Sequence, residues 1–255
     1  MNDSSASSFR NRKTAIIIPA FNEAEAIGPL LDEVRACMPG VKTIVVSDGS
    51  LDATAAIAAA HGADVLDLPC NLGVGGAVQA GMQHAWNGGH RLVVRLDGDG
   101  QHPPSEIPKL LAAMDATGAD LVVGSRFLGS GDYQGGTAMR KIGNVVLSRF
   151  LSAICRARVT DPTSGFWCVR DDLLRYFSLC YPCEYPEPEA LALLRRQGYD
   201  MAEAAVTVRP RQHGVSTIGS IDTLYFAMRV ALALVADRVR PVDRRFANPR
   251  GRKEA

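Results

Sequence analysis

The sequence is poor in cysteine, close to neutral in charge and without a long apolar run. Six cysteines in 255 residues are too sparse for the disulfide scaffold of a small secreted domain, and the lone CxxC pair, Cys180 and Cys183, has no second pair to complete a zinc site. A formal net charge of +1 is not that of an obvious nucleic-acid-binding protein. Residues 1–13 are polar and lack the apolar core of a secretory signal. We therefore expect an intracellular, reduced protein with a disordered start over 1–13.

Strand-like and helix-like segments alternate over the first half of the chain. Short β-branched apolar runs predict strands at 14–20, 41–48, 64–69, 91–97 and 120–127, with segments of helical periodicity between them. This alternation predicts an α/β fold whose mostly parallel sheet is covered by helices on both faces. Ligands of such sheets bind at the carboxyl ends of the strands. Asn22 and Glu25 have the spacing of a capping box, which predicts the start of the first helix.

The second half of the chain is less regular. A glycine-rich loop follows residue 127, and the pattern then predicts a helix over 139–155, a strand ending at 170, a helix over 187–198 and a strand over 200–210.

A last helix is predicted over about 221–240, followed by a disordered basic tail over 241–255. Arg229 interrupts its apolar block, and the uncharged runs are too short to span a bilayer. From Arg229 to Ala255 there are eight basic and three acidic residues. Such an amphipathic helix suits a surface of anionic lipid, and packing on the domain or in a dimer is the alternative.

Two aspartates one residue apart end the fourth predicted strand. The stretch LDGDGQHPP places Asp97 and Asp99 after the apolar run 92–94, with Gln101 close by. Desolvation and mutual repulsion both oppose two unpaired buried carboxylates. Mg²⁺ or Mn²⁺ resolves both problems, since these cations take carboxylate and phosphate oxygens as ligands. The pattern therefore indicates a metal-bound diphosphate, and a solvated Asp-Gly-Asp turn is the alternative.

Seven short motifs follow one another between residues 14 and 216: IIIPAFNEAEAI, VVSDGSLDAT, NLGVGGAVQAGMQHA, LDGDGQHPP, GSRF, DPTSGF and RQHGVS. This ordered set resembles the family 2 inverting glycosyltransferases with the GT-A fold, especially the dolichyl- or polyprenyl-phosphate mannosyl- and glucosyltransferases. The resemblance implies a GT-A domain over 14–216 and an amphipathic helix over 217–240. It also implies a UDP- or GDP-linked sugar donor, Mg²⁺ or Mn²⁺, a polyprenyl-phosphate or other lipid-linked acceptor, no nucleic acid, and a cytoplasmic location at the inner face of the cell membrane.

The same resemblance assigns roles to residues that match the motifs. Those expected to bind the nucleotide donor are Pro19, Ala20, Asn22, Glu23, Asp48, Gly73, Asp97 and Ser164. Asp99 and Gln101 would be metal ligands together with Asp97. Arg126 and Arg211 would bring positive charge to the phosphates, while Asp161, Ser164 and Gly165 would shape the acceptor side.

The acceptor determines whether the reaction needs a base. A polyprenyl phosphate is already anionic, whereas a carboxylate must take the proton of a sugar hydroxyl. Glu187 and Glu189 lie in the region where related hydroxyl-acceptor enzymes keep an acid, and Glu187 is the catalytic candidate. The alternative interpretation is that both are acidic residues at a helix N-terminus, where the helix dipole favours negative charge.

Two other classes of protein are disfavoured. A nicotinamide-dependent oxidoreductase would carry GxGxxG after its first strand, and this chain does not. A non-catalytic nucleotide-sugar-binding subunit would have no need for the intact Asp97, Asp99 and Arg211.

Overall fold

The computed structural model describes residues 13–128, 138–209, 230 and 244–248. Within these ranges one sheet contains β1 (Thr14–Ala20), β2 (Lys42–Ser47), β3 (Asp64–Asp67), β4 (Leu92–Arg95), β5 (Leu121–Ser125), β6 (Trp167–Arg170) and β7 (Met201–Ala205). The strand order is β3-β2-β1-β4-β6-β5-β7. Strand β6 is antiparallel to β4 and β5, and the other neighbours are parallel. The predicted α/β fold with a mostly parallel sheet is confirmed.

The described helices are α1 (Ala24–Cys37), α2 (Thr54–Ala60), α3 (Gly73–Asn87), α4 (Ile107–Thr117), α5 (Ala138–Cys155), α6 (Asp171–Leu179) and α7 (Pro186–Arg196). Short 3-10 turns lie at Pro104–Glu106 and Arg244–Phe246. Apolar residues of α1, α2 and α4 cover one face of the sheet, and those of α3, α5, α6 and α7 cover the other. Two layers of helices therefore bury both faces, as a parallel sheet requires.

Helix α6 is absent from the sequence-based prediction. It follows β6 without a loop, and its buried Leu173, Leu174 and Phe177 pack into the core of the α3 face. A helix of nine residues has only about two turns, and this is too few for its hydrophobic periodicity to stand out from that of the strand before it and the helix after it.

The capping box predicted for Asn22 and Glu25 is wrong. Helix α1 begins at Ala24, and no side chain from its own N-terminus caps it. Asn22 has a φ of 55°, and its Oδ1 accepts the backbone N–H of Leu51 at 2.8 Å. The backbone N–H of Ala24 instead donates to Asp52 Oδ2 at 3.1 Å. The left-handed turn at Asn22 directs its side chain to the loop after β2, and that loop caps the helix.

The predicted disordered tail over 241–255 needs correction at residues 244–248. The ring of Phe246 lies 5.2 Å from that of Tyr176, and Asn248 is buried. The Asn248 amide donates to the Gly198 carbonyl at 2.9 Å, and its backbone N–H donates to Gln197. These contacts bury a ring and satisfy polar groups, so this segment packs on the domain.

Several predictions lie outside the described residues. They are the disordered start up to residue 12, Arg211, the helix over 217–240 except Val230, and the rest of the tail. Val230 itself is helical and fully buried. Among the described residues, none of the helices has the length and apolar character needed to cross a membrane.

Candidate active site

Backbone hydrogen bonds hold the ends of β1, β2 and β4 together at the carboxyl edge of the sheet. The Asp48 N–H donates to the Ala20 carbonyl at 2.9 Å, and the Gly98 N–H donates to the Pro19 carbonyl at 3.2 Å. Asp48 is buried, and its Oδ1 accepts the N–H of Leu72 at 2.7 Å. The sequence places its donor-binding candidates on these loops, and the structure brings the loops to one edge.

The other donor-side candidates lie on the same loops. Pro19 is buried at the end of β1, whereas Asn22 is exposed and Glu23 is half-buried just before α1. Gly73 begins α3 with a φ of 77°, and its N–H donates to Asn71 Oδ1 at 2.9 Å. These residues line one side of the edge.

Exposed apolar side chains surround this side of the edge, and the sequence reasoning did not single them out. Phe21, Leu51 and Leu72 lie on the loops after β1, β2 and β3, and Val74 lies in the first turn of α3. Leu51 is 94% exposed. Flat apolar surface next to polar loops is suited to contact a nucleoside base or ribose.

The acidic turn begins two residues after β4 ends. Asp99 Oδ1 accepts the backbone N–H of Gln101 at 3.0 Å, which closes the turn. The Gln101 side-chain amide donates to the Arg209 carbonyl at 3.4 Å, and the Arg209 N–H donates to the Gln101 carbonyl at 2.9 Å. The chain after β7 therefore fixes the loop that carries both aspartates.

The oxygen atoms of this turn suit a hard divalent cation. Asp97, Asp99 and Gln101 offer carboxylate and amide oxygens, the ligand type that Mg²⁺ and Mn²⁺ prefer. Within the described part of the chain, no group of three or more His, Cys, Asp or Glu side chains could hold a metal. A cation at this turn would thus depend on further oxygens, such as those of a bound diphosphate.

Arg95 is the main site residue that the sequence reasoning missed. Its side chain is buried at the end of β4, with Nη2 3.0 Å from Asp97 Oδ1 and Nη1 2.9 Å from Glu187 Oε1. Burial opposes the charge of Asp97, but the neighbouring groups, Arg95 foremost, together outweigh burial and lower the pKa of Asp97. The one feature of the sequence that could have indicated this site residue is an arginine within an otherwise apolar strand.

His102 and Tyr181 lie close to this cluster. The His102 ring stacks on Phe166 with centroids 5.2 Å apart, and its Nδ1 lies 3.7 Å from Asp97 Oδ2. Burial lowers the pKa of His102, although the charges of Asp97 and Asp99 oppose that shift. Burial also raises the pKa of Tyr181. Both rings are therefore neutral at pH 7.

Arg126 makes a two-pronged ion pair with Asp161. Its Nε lies 2.7 Å from Asp161 Oδ2 and its Nη2 2.6 Å from Oδ1. Asp161 is fully buried, and its backbone N–H donates to Glu203 Oε1 at 3.2 Å. Burial raises the pKa of Glu203, despite the hydrogen bonds it accepts from Thr160. Arg126 thus fixes the loop before β6, and its expected contact with a phosphate stays a prediction.

Ser164 and Gly165 join that loop to the rest of the site. The Ser164 hydroxyl is buried and donates to the Gly124 carbonyl at 2.7 Å. A side-chain carbon added at Gly165 would lie 2.7 Å from Asp97 Oδ1 and closer still to Oδ2. Gly165 is therefore required for the close approach of Asp97, a role that the sequence pattern did not assign.

Glu187 and Glu189 both lie in the first turn of α7. The structure brings Glu187 into the cluster through its ion pair with Arg95. The backbone N–H of Glu189 donates to the Tyr185 carbonyl at 3.1 Å. A cavity of about 10 Å³ lies beside Glu187, lined among others by Asp161 and Tyr181. It has room for one water and is too small for a sugar.

The sheet order, the helical layers and the acidic turn define a nucleotide-binding α/β enzyme fold. A solved structure of glucosyl-3-phosphoglycerate synthase from Mycobacterium tuberculosis, in complex with Mn²⁺, UDP and glucosyl-3-phosphoglycerate, superposes with a TM-score of 0.69. It is 23% identical, and the match covers 92% of this chain and 82% of that one.

The family follows from the sequence match. The model described as "Glycosyl transferase family 2" matches residues 15–177, so the chain belongs to this family and is a glycosyltransferase. The polyprenol monophosphomannose synthase of Mycolicibacterium smegmatis is 29% identical over 229 residues, which cover 86% of either chain. The undecaprenyl-phosphate mannosyltransferase of Micrococcus luteus is 33% identical over 168 residues, covering 64% of this chain and 68% of that one. The resemblance inferred from the ordered motifs is confirmed.

Proposed function

We propose that this chain transfers a sugar from a nucleoside-diphosphate sugar to a polyprenyl phosphate, with a divalent cation held at Asp97, Asp99 and Gln101. The observation that carries the proposal is the acidic turn after β4, at the sheet edge where the loops after β1 and β2 also end. The names of the two mannosyl-transferring relatives support a polyprenyl phosphate as acceptor. The Mn²⁺ and UDP bound by the solved relative support the cation and the donor class.

The reaction is a direct displacement. An oxygen of the acceptor phosphate attacks the anomeric carbon of the sugar, and the bond from that carbon to the donor diphosphate breaks. The nucleoside diphosphate leaves with the electron pair, and the anomeric configuration inverts. A divalent cation, when bound, would offset the charge that develops on the leaving group. Asp97, Asp99 and Gln101 are the residues that would hold it, and Arg211, outside the described residues, is proposed to add positive charge.

A phosphate acceptor is ionised at neutral pH and needs no protein base. Transfer to a sugar hydroxyl is the second candidate, because Glu187 lies in the same cluster and could take the proton. The Glu187 carboxylate already pairs with the buried guanidinium of Arg95 at 2.9 Å, which favours the phosphate acceptor because that acceptor needs no carboxylate. For a lipid acceptor we place the enzyme peripherally at the inner face of the cell membrane, with the helix predicted over 217–240 on the lipid surface.

Calorimetry with UDP and GDP tests the donor site, in Mn²⁺, in Mg²⁺ and without metal. One nucleotide should bind in the presence of a metal, and Asp99→Ala should weaken that binding by about 100-fold, because it removes a charged ligand. Asp115→Ala is the matched control, since Asp115 is an exposed carboxylate on α4. Metal-independent binding that Asp99→Ala leaves unchanged would contradict the proposed site.

Paired lipids test the acceptor. Vesicles carrying polyprenyl phosphate should yield a glycosylated lipid from the nucleotide sugar that binds, whereas vesicles carrying the polyprenol should not, because only the phosphate is ionised. Product from a sugar-hydroxyl acceptor, lost in Glu187→Gln and absent with polyprenyl phosphate, would favour the second candidate.

A further inference from the structure

Arg95 occupies a position where the strand pattern calls for an apolar side chain. On β4, Val93 packs into the core of the α3 face, and Arg95 points to the same face because residues two apart on a strand share a face. Only 1% of Arg95 is exposed. A buried guanidinium is costly unless it is paired, so its partners indicate what it is for.

Both ion-pair partners of Arg95 are carboxylates of the candidate active site. Nη2 lies 3.0 Å from Asp97 on the acidic turn after β4, and Nη1 lies 2.9 Å from Glu187 at the start of α7. The guanidinium also lies over the Trp167 ring at 5.7 Å. A single buried cation thus connects the turn after β4 to the first turn of α7.

We infer that Arg95 is a positioning residue for the metal–nucleotide site, which holds the Asp97 carboxylate in place and ties it to Glu187. The inference rests on the proposed function, because it assigns to Arg95 the orientation of a donor-binding carboxylate. Arg95 does not touch the donor; it acts through Asp97. Without it, two carboxylates would face each other across the space that the guanidinium fills, and their repulsion would move Asp97 away from the donor.

The geometry leaves Asp97 little freedom while Arg95 is present. Gly165 lies so close to the Asp97 carboxylate that even a methyl group there would collide with it. His102 Nδ1 lies 3.7 Å from Asp97 Oδ2. The Asp97 carboxylate, 32% exposed at its side chain, therefore has a glycine, an imidazole and a guanidinium as neighbours. Of these three neighbours, only Arg95 carries a fixed positive charge at neutral pH.

The test measures the affinity of the variants for UDP or GDP, whichever the wild type binds, in the presence of Mn²⁺. Arg95→Met should weaken binding by about tenfold or more, since it removes a charged hydrogen bond to Asp97. Arg95→Lys keeps the charge but cannot contact both carboxylates at once, so we expect a loss of about three- to tenfold. Arg170→Met is the matched control, a mostly buried arginine of β6 at the opposite edge of the sheet.

A double variant separates positioning from simple packing. Adding Glu187→Gln to Arg95→Met removes one of the two unpaired charges, so the double variant should bind the Mn²⁺–nucleotide about threefold more tightly than Arg95→Met alone. Lost packing would instead give additive losses. The Michaelis constant for the donor should rise more than that for the acceptor.

Several outcomes would overturn the inference. The inference is overturned if Arg95→Met has the circular dichroism of the wild type and binds the nucleotide with an affinity within about twofold of the wild type. It is also overturned if the losses of affinity in the double variant are additive. If Arg95→Met does not fold, Arg95→Lys carries the test, and wild-type affinity there would contradict the role. A wild type that binds no nucleotide with Mn²⁺ or Mg²⁺ would instead remove the proposed function, and the inference with it.

Discussion

Different interactions hold the two sides of the carboxyl edge. On the side of β1, β2 and β3, carboxylate and amide side chains accept backbone N–H groups of neighbouring loops, as Asn22, Asp48 and Asp52 do. On the side of β4, β5 and β6, arginines pair with carboxylates inside the domain, as Arg95 does with Asp97 and Glu187, and Arg126 with Asp161.

The difference shows where the site is sensitive to substitution. Water can replace the hydrogen bond that an exposed side chain such as Asn22 or Asp52 loses, so the loss costs little. Water cannot reach a buried charge whose partner has been removed, and the penalty is larger. We therefore expect the ion-paired side to tolerate fewer changes than the hydrogen-bonded side.

The largest effect is expected at Asp161. Asp161→Ala should lower the free energy of unfolding by about 3 kcal/mol, because it leaves Arg126 without its buried partner. Urea denaturation measures this change. Asp200→Ala is the control, since Asp200 also pairs with an arginine at 2.6 Å but is 75% exposed at its side chain, against 0% for Asp161. A loss below about 1 kcal/mol is expected there, and equal losses for the two variants would contradict the larger penalty expected for breaking a buried ion pair.

Gly165→Ala should have the next largest effect. The added methyl group would collide with the Asp97 carboxylate, so stability should fall by about 1–3 kcal/mol and metal-dependent nucleotide binding should weaken. Thermal unfolding and calorimetry measure the two changes. Gly88→Ala is the control, because its new methyl group would come no closer than 3.3 Å to another atom. Wild-type nucleotide affinity in Gly165→Ala would show that Asp97 need not stay where the structure has it.

The smallest effect is expected on the hydrogen-bonded side. Asp52→Ala removes the cap of α1 and should cost about 1 kcal/mol at neutral pH. Burial raises the pKa of Asp52, but the hydrogen bonds from Thr54 and Ala24 outweigh it, so the pKa in the folded state is lowered. The stabilisation is therefore present at neutral pH and is lost as the pH falls through the folded pKa.

The difference in unfolding free energy between wild type and Asp52→Ala should accordingly shrink with falling pH. Asp67→Ala, at an exposed carboxylate that ends β3, serves as the control. A difference that grows on acidification would mean that Asp52 does not cap the helix as a carboxylate.

Local patterns predict much of this molecule. Apolar runs of β-branched residues mark β1 to β5, because a strand buried on both faces needs such side chains along its whole length. The position of Asp97 and Asp99 after β4 also follows from the sequence, since the apolar run stops there. The ends of the strands are less well predicted: β4 ends at Arg95 and not at 97, and β5 at Ser125 and not at 127.

Partners that lie far apart in the chain could not be predicted. The residue that caps α1 is Asp52, in the loop after a different strand. One of the two carboxylates that pair with Arg95 is Glu187, on a helix in the second half of the chain. Periodicity reports which face of an element is buried, but it carries no information about which distant side chain faces it.

The sequence by itself determined the alternation of strands and helices, the edge at which ligands bind and the acidic turn at that edge, because each depends on neighbouring residues. Only the tertiary structure decided that Arg95 connects Asp97 to Glu187, that Gly165 must lack a side chain and that Arg126 is held by Asp161. These relations depend on how the antiparallel β6 and the chain around it fold back against β4 and β5. Charges separated along the chain become close neighbours only when the sheet assembles.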